Sequence, residues 1–301
     1  MAKNNSTLVC FGEVLWDLLP TGKVAGGAPM NVAYHANTFG LQAKMISRIG
    51  ADELGGELRL FLEDKGIVTD LLQVDRALPT GIVKVTLDAN GSPSYEIVQP
   101  AAWDAIQPFE SAIQAVKSAD LLVFGSLACR SVATKNTLLQ LLELAPVRVF
   151  DVNLRTPFYS KELLAELLPK ATIVKMNDEE LDIIGGWFDA SGDEDAKMEF
   201  VKDYFRLEAL IVTRGARGAA LINDNGLFTQ TGFPVKVQDT IGSGDAFLGA
   251  FLSKLMAGAD EKECLETACS AGAFVATKKG ATPKYLPEDV FQNAAKEAVA
   301  A

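Results

Sequence analysis

Short runs rich in apolar and β-branched residues alternate along this chain with stretches of helical periodicity, and that alternation constrains the fold more than any other feature. The runs are Leu8–Phe11, Ala43–Ile49, Asp120–Phe124, Arg148–Val152, Thr172–Met176 and Ala209–Thr213. They are apolar on both faces, as parallel strands covered by helices should be. Between them lie helical patterns at Pro29–Phe39, Glu53–Lys65, Ile113–Lys117, Lys135–Leu144 and Ala196–Phe205. Strand and helix in this rhythm predict a doubly wound α/β fold with a mostly parallel sheet flanked by helices. From Thr240 onward the chain reads as helix. Ala246–Ala257 and Glu261–Thr277 carry so few polar positions that both helices are expected to be buried.

Two stretches, Asp17–Val24 and Thr80–Val98, break the rhythm. In the second, Ile82, Val83, Val85 and Leu87 lead to Asp88-Ala89-Asn90-Gly91 and then to Tyr95, Ile97 and Val98. Asn-Gly between apolar alternations signals a hairpin. The segments at about 14–26 and 80–100 are therefore expected to form a small antiparallel sheet, a lid projecting from one domain that spans residues 1–301. The competing reading is a surface excursion without function.

Composition excludes several functions. With 301 residues, 49% of them hydrophobic, the chain can bury a large core. Its net charge of −11 repels phosphate backbones and anionic membrane surfaces, so neither nucleic acid nor membrane is expected as a partner. Met1–Thr7 lacks the basic patch and apolar run of a signal peptide, and the longest apolar runs are strand-sized, so a cytoplasmic location is expected. The four cysteines, Cys10, Cys129, Cys264 and Cys269, form no C-x-x-C pair and sit in apolar surroundings, as buried reduced thiols do. The single histidine, His35, lies within the apolar stretch Asn31–Phe39 and is expected to be packed. One histidine rules out an H-E-x-x-H zinc site, and no serine-nucleophile context accompanies it. General-base work must then fall to a carboxylate.

In open α/β sheets ligands bind beyond the carboxyl ends of the strands. Those ends are polar here: Gly12 leading to Asp17, Gly125-Ser126, Asp151 with Asn153 and Arg155, Asn177 with Glu180, and Thr213-Arg214-Gly215. The sharpest segment is Asp239-Thr240-Ile241-Gly242-Ser243-Gly244-Asp245, followed at once by an apolar helix. Small residues before a helix leave backbone N–H groups pointing outward, and the helix dipole adds roughly half a positive charge there. This makes an anion cradle without a cationic side chain. Asp245, in the first helical turn, would sit beside a phosphoryl group and accept a proton from an attacking hydroxyl. A plain helix cap is the alternative, since Asp is favoured at helix starts in any case. There is no G-x-x-x-x-G-K-S/T loop, no G-x-G-x-x-G after the first strand and no H-R-D, which removes P-loop, dinucleotide and protein-kinase readings.

The segment DTIGSGDAFLGAF resembles the C-terminal signature D-T-x-G-A/S-G-D of the ribokinase-like (PfkB) carbohydrate kinases, and GGAPMNVAYHANTFGLQAKMISRIGADELGGEL resembles their N-terminal signature. The likeness covers nearly the whole chain. It implies ATP-dependent phosphorylation of a sugar, with Asp245 as catalytic base and the backbone of Gly242, Ser243 and Gly244 as anion hole. Asp17, Gly26, Gly27 and Asn31 match positions that hold sugar hydroxyls. Asn177 and Glu180 match an N-x-x-E element that organises magnesium and phosphate. Thr213, Gly215 and Gly218 match a T-R-G-x-x-G element lining the nucleotide site. Arg155 matches an arginine near the transferred phosphate or the substrate, with a plain surface arginine as the alternative. A potassium ion held by backbone carbonyls is implied at Asp239–Ile241 and Lys278–Ala281, with Asp239, Ile241, Lys278 and Ala281 at the ends of the two stretches. GEVLWDLLP and AAWDAI look most like bacterial fructokinases, which implies D-fructose as acceptor and D-fructose 6-phosphate as product. A 2-keto-3-deoxygluconate kinase, or another sugar or nucleoside kinase of this type, is the rival, and Arg155 could meet the keto-acid carboxylate. Trp103 either packs against a sugar face or anchors the lid. Lids of this family often pair between subunits, so a homodimer is plausible by resemblance. Two further readings are a catalytically silent sugar-binding protein, against which the intact Asp245 segment speaks, and a nicotinamide oxidoreductase, which lacks its glycine fingerprint.

Overall fold

The computed structural model describes residues 6–87 and 93–291. Within them the strands run β1 (Thr7–Phe11), β2 (Leu15–Leu19), β3 (Gly22–Gly26), β4 (Gln42–Gly50), β5 (Leu72–Asp75), β6 (Gly81–Leu87), β7 (Pro93–Ile97), β8 (Leu121–Gly125), β9 (Arg148–Asp151), β10 (Ile173–Asn177), β11 (Ala209–Thr213), β12 (Ala219–Asn223) and β13 (Gly226–Gln230). The helices are α1 (Ala28–Thr38), α2 (Glu53–Asp64), α3 (Glu110–Ser118), α4 (Val132–Leu142), α5 (Lys161–Leu167), α6 (Asp178–Trp187), α7 (Glu194–Phe205), α8 (Ser243–Met256) and α9 (Glu261–Ala276).

The main sheet has the order β13-β12-β11-β10-β9-β8-β1-β4-β5. Its strands from β5 to β11 are parallel, and β12 and β13 add an antiparallel edge. The six strands expected from sequence are all present. They are buried on both faces, and each face meets its own apolar cluster. In the cluster on one face Phe124 and Phe150 stack with ring centroids 4.8 Å apart across β8 and β9. The cluster on the other face is closed by α1, α8 and α9.

β2, β3, β6 and β7 form a separate four-stranded sheet in the order β3-β2-β6-β7. β2–β3 and β6–β7 are antiparallel hairpins, and a parallel β2–β6 pair joins them. The two segments that break the rhythm of the sequence thus meet in one element. The turn expected at Asp88–Gly91 lies outside the described residues.

Of the two places the sequence left open for Trp103, against a sugar face or anchoring the lid, its packing favours the second: it is fully buried. The Arg130 guanidinium carbon lies 3.7 Å from its ring centroid, and its indole nitrogen sits 2.3 Å from where a Cβ on Gly81 would be. Trp103 therefore wedges the base of β6 against the main domain, and Arg130 holds Asp104 and the Val98 carbonyl beside it. His35 is fully buried, as the apolar stretch around it implies. The four cysteines are free and buried. No helix among the described residues is long and apolar enough to cross a membrane.

α1 and α8 cross closely at Gly249. A Cβ there would lie 2.8 Å from the Ala36 nitrogen and 2.8 Å from the His35 Cβ. Backbone cannot yield as a side chain can, so Gly249→Ala must push the helices apart. Overpacking of this kind costs about 1–3 kcal/mol. Urea denaturation of the two proteins reads the difference, and an unchanged midpoint would mean the crossing is loose.

Candidate active site

The carboxyl edge of the parallel strands brings most of the sequence-selected residues to the start of α8. That helix begins at Ser243, three residues before the apolar run from which it was anticipated. Gly242 caps it in a left-handed conformation, φ 80°. A Cβ at Gly242 would also lie 2.6 Å from the Ala281 Cα, so both the turn and the contact require glycine. Ser243, Gly244 and Asp245 are then the first helical turn, whose amides have no acceptor within the helix. The Ser243 hydroxyl is buried and has no partner.

On one side of this turn lies a cavity of ≈ 530 Å³ lined by Thr213, Gly215, Gly218, Ser243 and Gly244, among others. The three residues matched by resemblance to a nucleotide site thus share one space with the first turn of α8. On the other side lies α1. Asn31 donates from Nδ2 to Asp245 Oδ2 at 2.8 Å, and its Oδ1 is buried without a partner. Gly27, the cap of α1, packs so tightly that a Cβ would meet the Glu13 carbonyl at 2.4 Å. Asp17 Oδ2 lies 2.8 Å from the Cβ position of Gly26. Arg155 is exposed, and its charge acts on Glu13, Asp17 and Asp245 together. Asn31 and Arg155 therefore act on Asp245 directly, Gly27 sits one turn before Asn31, and Gly26 lies beside Asp17, which the same Arg155 charge reaches.

Asn177 and Glu180 turn out to form a capping box. Asn177 Oδ1 accepts from the Glu180 amide at 2.7 Å, and Glu180 Oε2 accepts from the Asn177 amide at 2.9 Å. Glu180 Oε1 accepts from the Leu154 amide at 2.7 Å, which ties the loop carrying Arg155 to α6. Both Glu180 oxygens are thus engaged with main chain. The two stretches selected for a monovalent cation also meet. Asp239 Oδ1 accepts from the Ile241 amide and Oδ2 from the Gly280 amide. The Ala281 carbonyl accepts from His35 Nε2 at 2.8 Å. A carbonyl can only accept, so Nε2 carries the proton and Nδ1 accepts from the Tyr285 hydroxyl. Lys278 Nζ lies over the Phe274 ring, 4.6 Å from its centroid.

Two charged residues here escaped the reading of the sequence. Glu13 is buried, accepts from the Ala28 amide and keeps Oε2 unpartnered. Lys175 is buried on β10, and its Nζ lies 3.0 Å from Asp151 Oδ1. The available signals were a glutamate followed by Val14-Leu15-Trp16 and a lysine inside an otherwise apolar strand.

Burial dominates the electrostatics. It pushes Glu13 up to about 7 and Asp17 up to about 6 against the pull of Arg155. Burial and the neighbouring Asp151 push Asp245 up to about 6, opposed by Lys175, Asn31 and Arg155. A raised carboxylate contributes stability in its protonated form. That contribution is complete below the unfolded value near 4 and is lost as pH rises through the folded value near 6. Asp245→Asn removes the titration, so its melting temperature relative to wild type should climb between pH 4 and pH 7. The climb corresponds to at most about 3 kcal/mol, taking 1.36 kcal/mol per pH unit. A melting offset that stays constant across this range would contradict the burial of the charge.

Comparison with known proteins agrees with this geometry. The chain matches the model of the pfkB family carbohydrate kinases over residues 7–289. It is 32% identical to a fructokinase of Solanum tuberosum, with 96% of this chain and 97% of that one covered. Its fold is similar to that of a fructokinase from Xylella fastidiosa with bound ATP, at TM-score 0.84 and 25% identity over 97% and 99% of the two chains. It is also similar to an aminoimidazole riboside kinase from Salmonella enterica, at TM-score 0.78 and 25% identity over 96% and 100%. A doubly wound sheet, a glycine-capped first turn of α8 and these likenesses together place the chain: it belongs to the pfkB family of carbohydrate kinases.

Proposed function

We propose that this carbohydrate kinase transfers the terminal phosphoryl group of ATP to D-fructose, giving D-fructose 6-phosphate, with Asp245 as the base. The observation that carries the mechanism is the position of Asp245. It lies in the first turn of α8, between the Thr213–Gly218 cavity and the Asn31 side chain. The likeness to fructokinases along almost the full length of both chains supports the acceptor.

The residues divide the work. Thr213, Gly215 and Gly218 would hold the nucleotide, whose phosphates point toward the first-turn amides. Asp17, Gly26, Gly27 and Asn31 would hold the sugar and present its hydroxyl to Asp245. Asn31 already donates to that carboxylate and so aims it. Asp245 takes the hydroxyl proton as the oxygen attacks. The amides of Gly242–Gly244 take the charge that develops on the phosphoryl group. Arg155 would add an exposed cation at the rim. Magnesium, when bound, neutralises the phosphates. Because Asn177 and Glu180 spend their oxygens on main-chain amides, they fit a role through bound water. No group of three or more acidic, His or Cys side chains suited to a metal occurs among the described residues. The main chain of Asp239–Ile241 and Lys278–Ala281 is the place for a potassium ion. The four-stranded sheet would close over the sugar, and its exposed Leu19, Val24 and Tyr95 suit pairing with a second copy, which light scattering on the purified protein would read.

A coupled assay over fructose, ribose, adenosine, aminoimidazole riboside and 2-keto-3-deoxygluconate tests the acceptor. Fructose should give the highest kcat/KM, with activity dependent on magnesium and raised by potassium. A clear lead for ribose, a riboside or the keto-acid would overturn the assignment.

Asp245→Asn tests the base. Asn caps a helix about as well as Asp, so folding and the binding of both ligands should persist. A positioned base contributes roughly 10²- to 10⁴-fold, and kcat should fall by that factor. Calorimetric titration of each ligand beside the kinetics separates binding from turnover. A fall of less than about tenfold would leave Asp245 as a cap alone, because a base supplies at least ~10²-fold.

A further inference from the structure

Lys175 is a charge inside an apolar strand. β10 lies between β9 and β11, and Lys175 pairs in register with Asp151. The lysine is 6% exposed and Asp151 3%. Lys175 Nζ is 3.0 Å from Asp151 Oδ1 and 3.0 Å from the point a Cβ on Gly244 would occupy. The ammonium therefore lies between the sheet and the first turn of α8, where its charge acts on Asp245. Burying such a pair costs several kcal/mol per ion, and an apolar pair of similar volume is often as stable or more so. A purely structural role is thus a weak account of it. Asp151 Oδ2 is buried and unpartnered, so its negative charge is cancelled from one side only.

The surroundings of Asp245 are otherwise accounted for. Asp151 faces it from β9, Asn31 from α1, Arg155 from the loop after β9 and Glu13 from the segment after β1. Glu180 on α6 faces Lys175. α9 meets this turn at Gly272, and its residues Thr267–Ala276 carry no charge. Among these groups Lys175 is the one buried cation.

We propose that Lys175 is a positioning residue for phosphoryl transfer: clamped between Asp151 and Gly244, it cancels the Asp151 charge and keeps Asp245 a competent proton acceptor at neutral pH. This rests on the reading of Asp245 as the base. A side chain at position 244 would crowd the ammonium, which would have to give way by a few tenths of an ångström.

The test is the pH dependence of kcat/KM for the sugar, which reports groups of the free enzyme, in wild type, Lys175→Met, Asp151→Asn and the double variant. Thermal melting is the folding control. An opposite charge within about 4–6 Å moves a carboxylate by about 1–3 pH units, and the Lys175 charge acts on Asp245. Lys175→Met should move the acidic limb upward by about one unit or more. Asp151→Asn should move it downward, and the double variant should return it close to wild type. A merely structural lysine would lower the melting temperature and the amplitude while leaving the limb in place. An unmoved limb in Lys175→Met overturns the proposal. If that variant fails to fold, Asp151→Asn decides alone, and a limb that does not move downward overturns it. Failure of the base itself would show separately, as near-normal turnover in Asp245→Asn.

Discussion

The hydrogen bond from Asn31 to Asp245 joins two helices whose partners are 214 positions apart in the chain. The arrangement of the site depends on it. α1 carries Asn31 and α8 carries Asp245 in its first turn, so one contact fixes the spacing of the two helix starts. Further along, Gly249 lets the two helix backbones approach closely. α1 makes a second set of attachments further along. His35 holds the Ala281 carbonyl, and Tyr34 donates to the Pro283 carbonyl at 2.6 Å. Ala281 in turn abuts Gly242. A single helix thus braces both Asp245 and the Gly242 cap of α8, which matters for the role proposed for Asp245, since a misplacement of about 1 Å can cost on the order of 10²-fold in rate.

The start of α8 offers a place suited to an anion in a protein of net charge −11. Positive potential comes from backbone dipoles and from cations in fixed places, not from a basic surface. The same economy raises the affinity of Glu13, Asp17 and Asp245 for protons, because carboxylates are gathered where water is scarce.

Much of this was legible in the sequence, for definite reasons. The parallel strands are apolar on both faces, so β1, β4 and β8–β11 stood out. Gly242–Asp245 stood out because small residues before an apolar helix have few other uses. β12 and β13 were missed because they form an antiparallel edge with mixed polarity. α6 was missed because its start, Asn177 to Glu180, was read as ligand chemistry when those atoms also cap the helix. Trp103 was ambiguous because an aromatic residue beside a lid suits either face, and only packing against Gly81 and Arg130 decides. Lys175 and Glu13 carry no motif. What singles them out is burial, which depends on strands and helices far away in the chain.

The tie between Glu180 and the Leu154 amide has a consequence for how such a site can diversify. The backbone just before Arg155 is held by the beginning of a helix that the chain must form anyway, while the Arg155 side chain is exposed. Its charge nevertheless reaches Glu13, Asp17 and Asp245. A replacement there would retune three buried carboxylates electrically without moving the main chain that carries them.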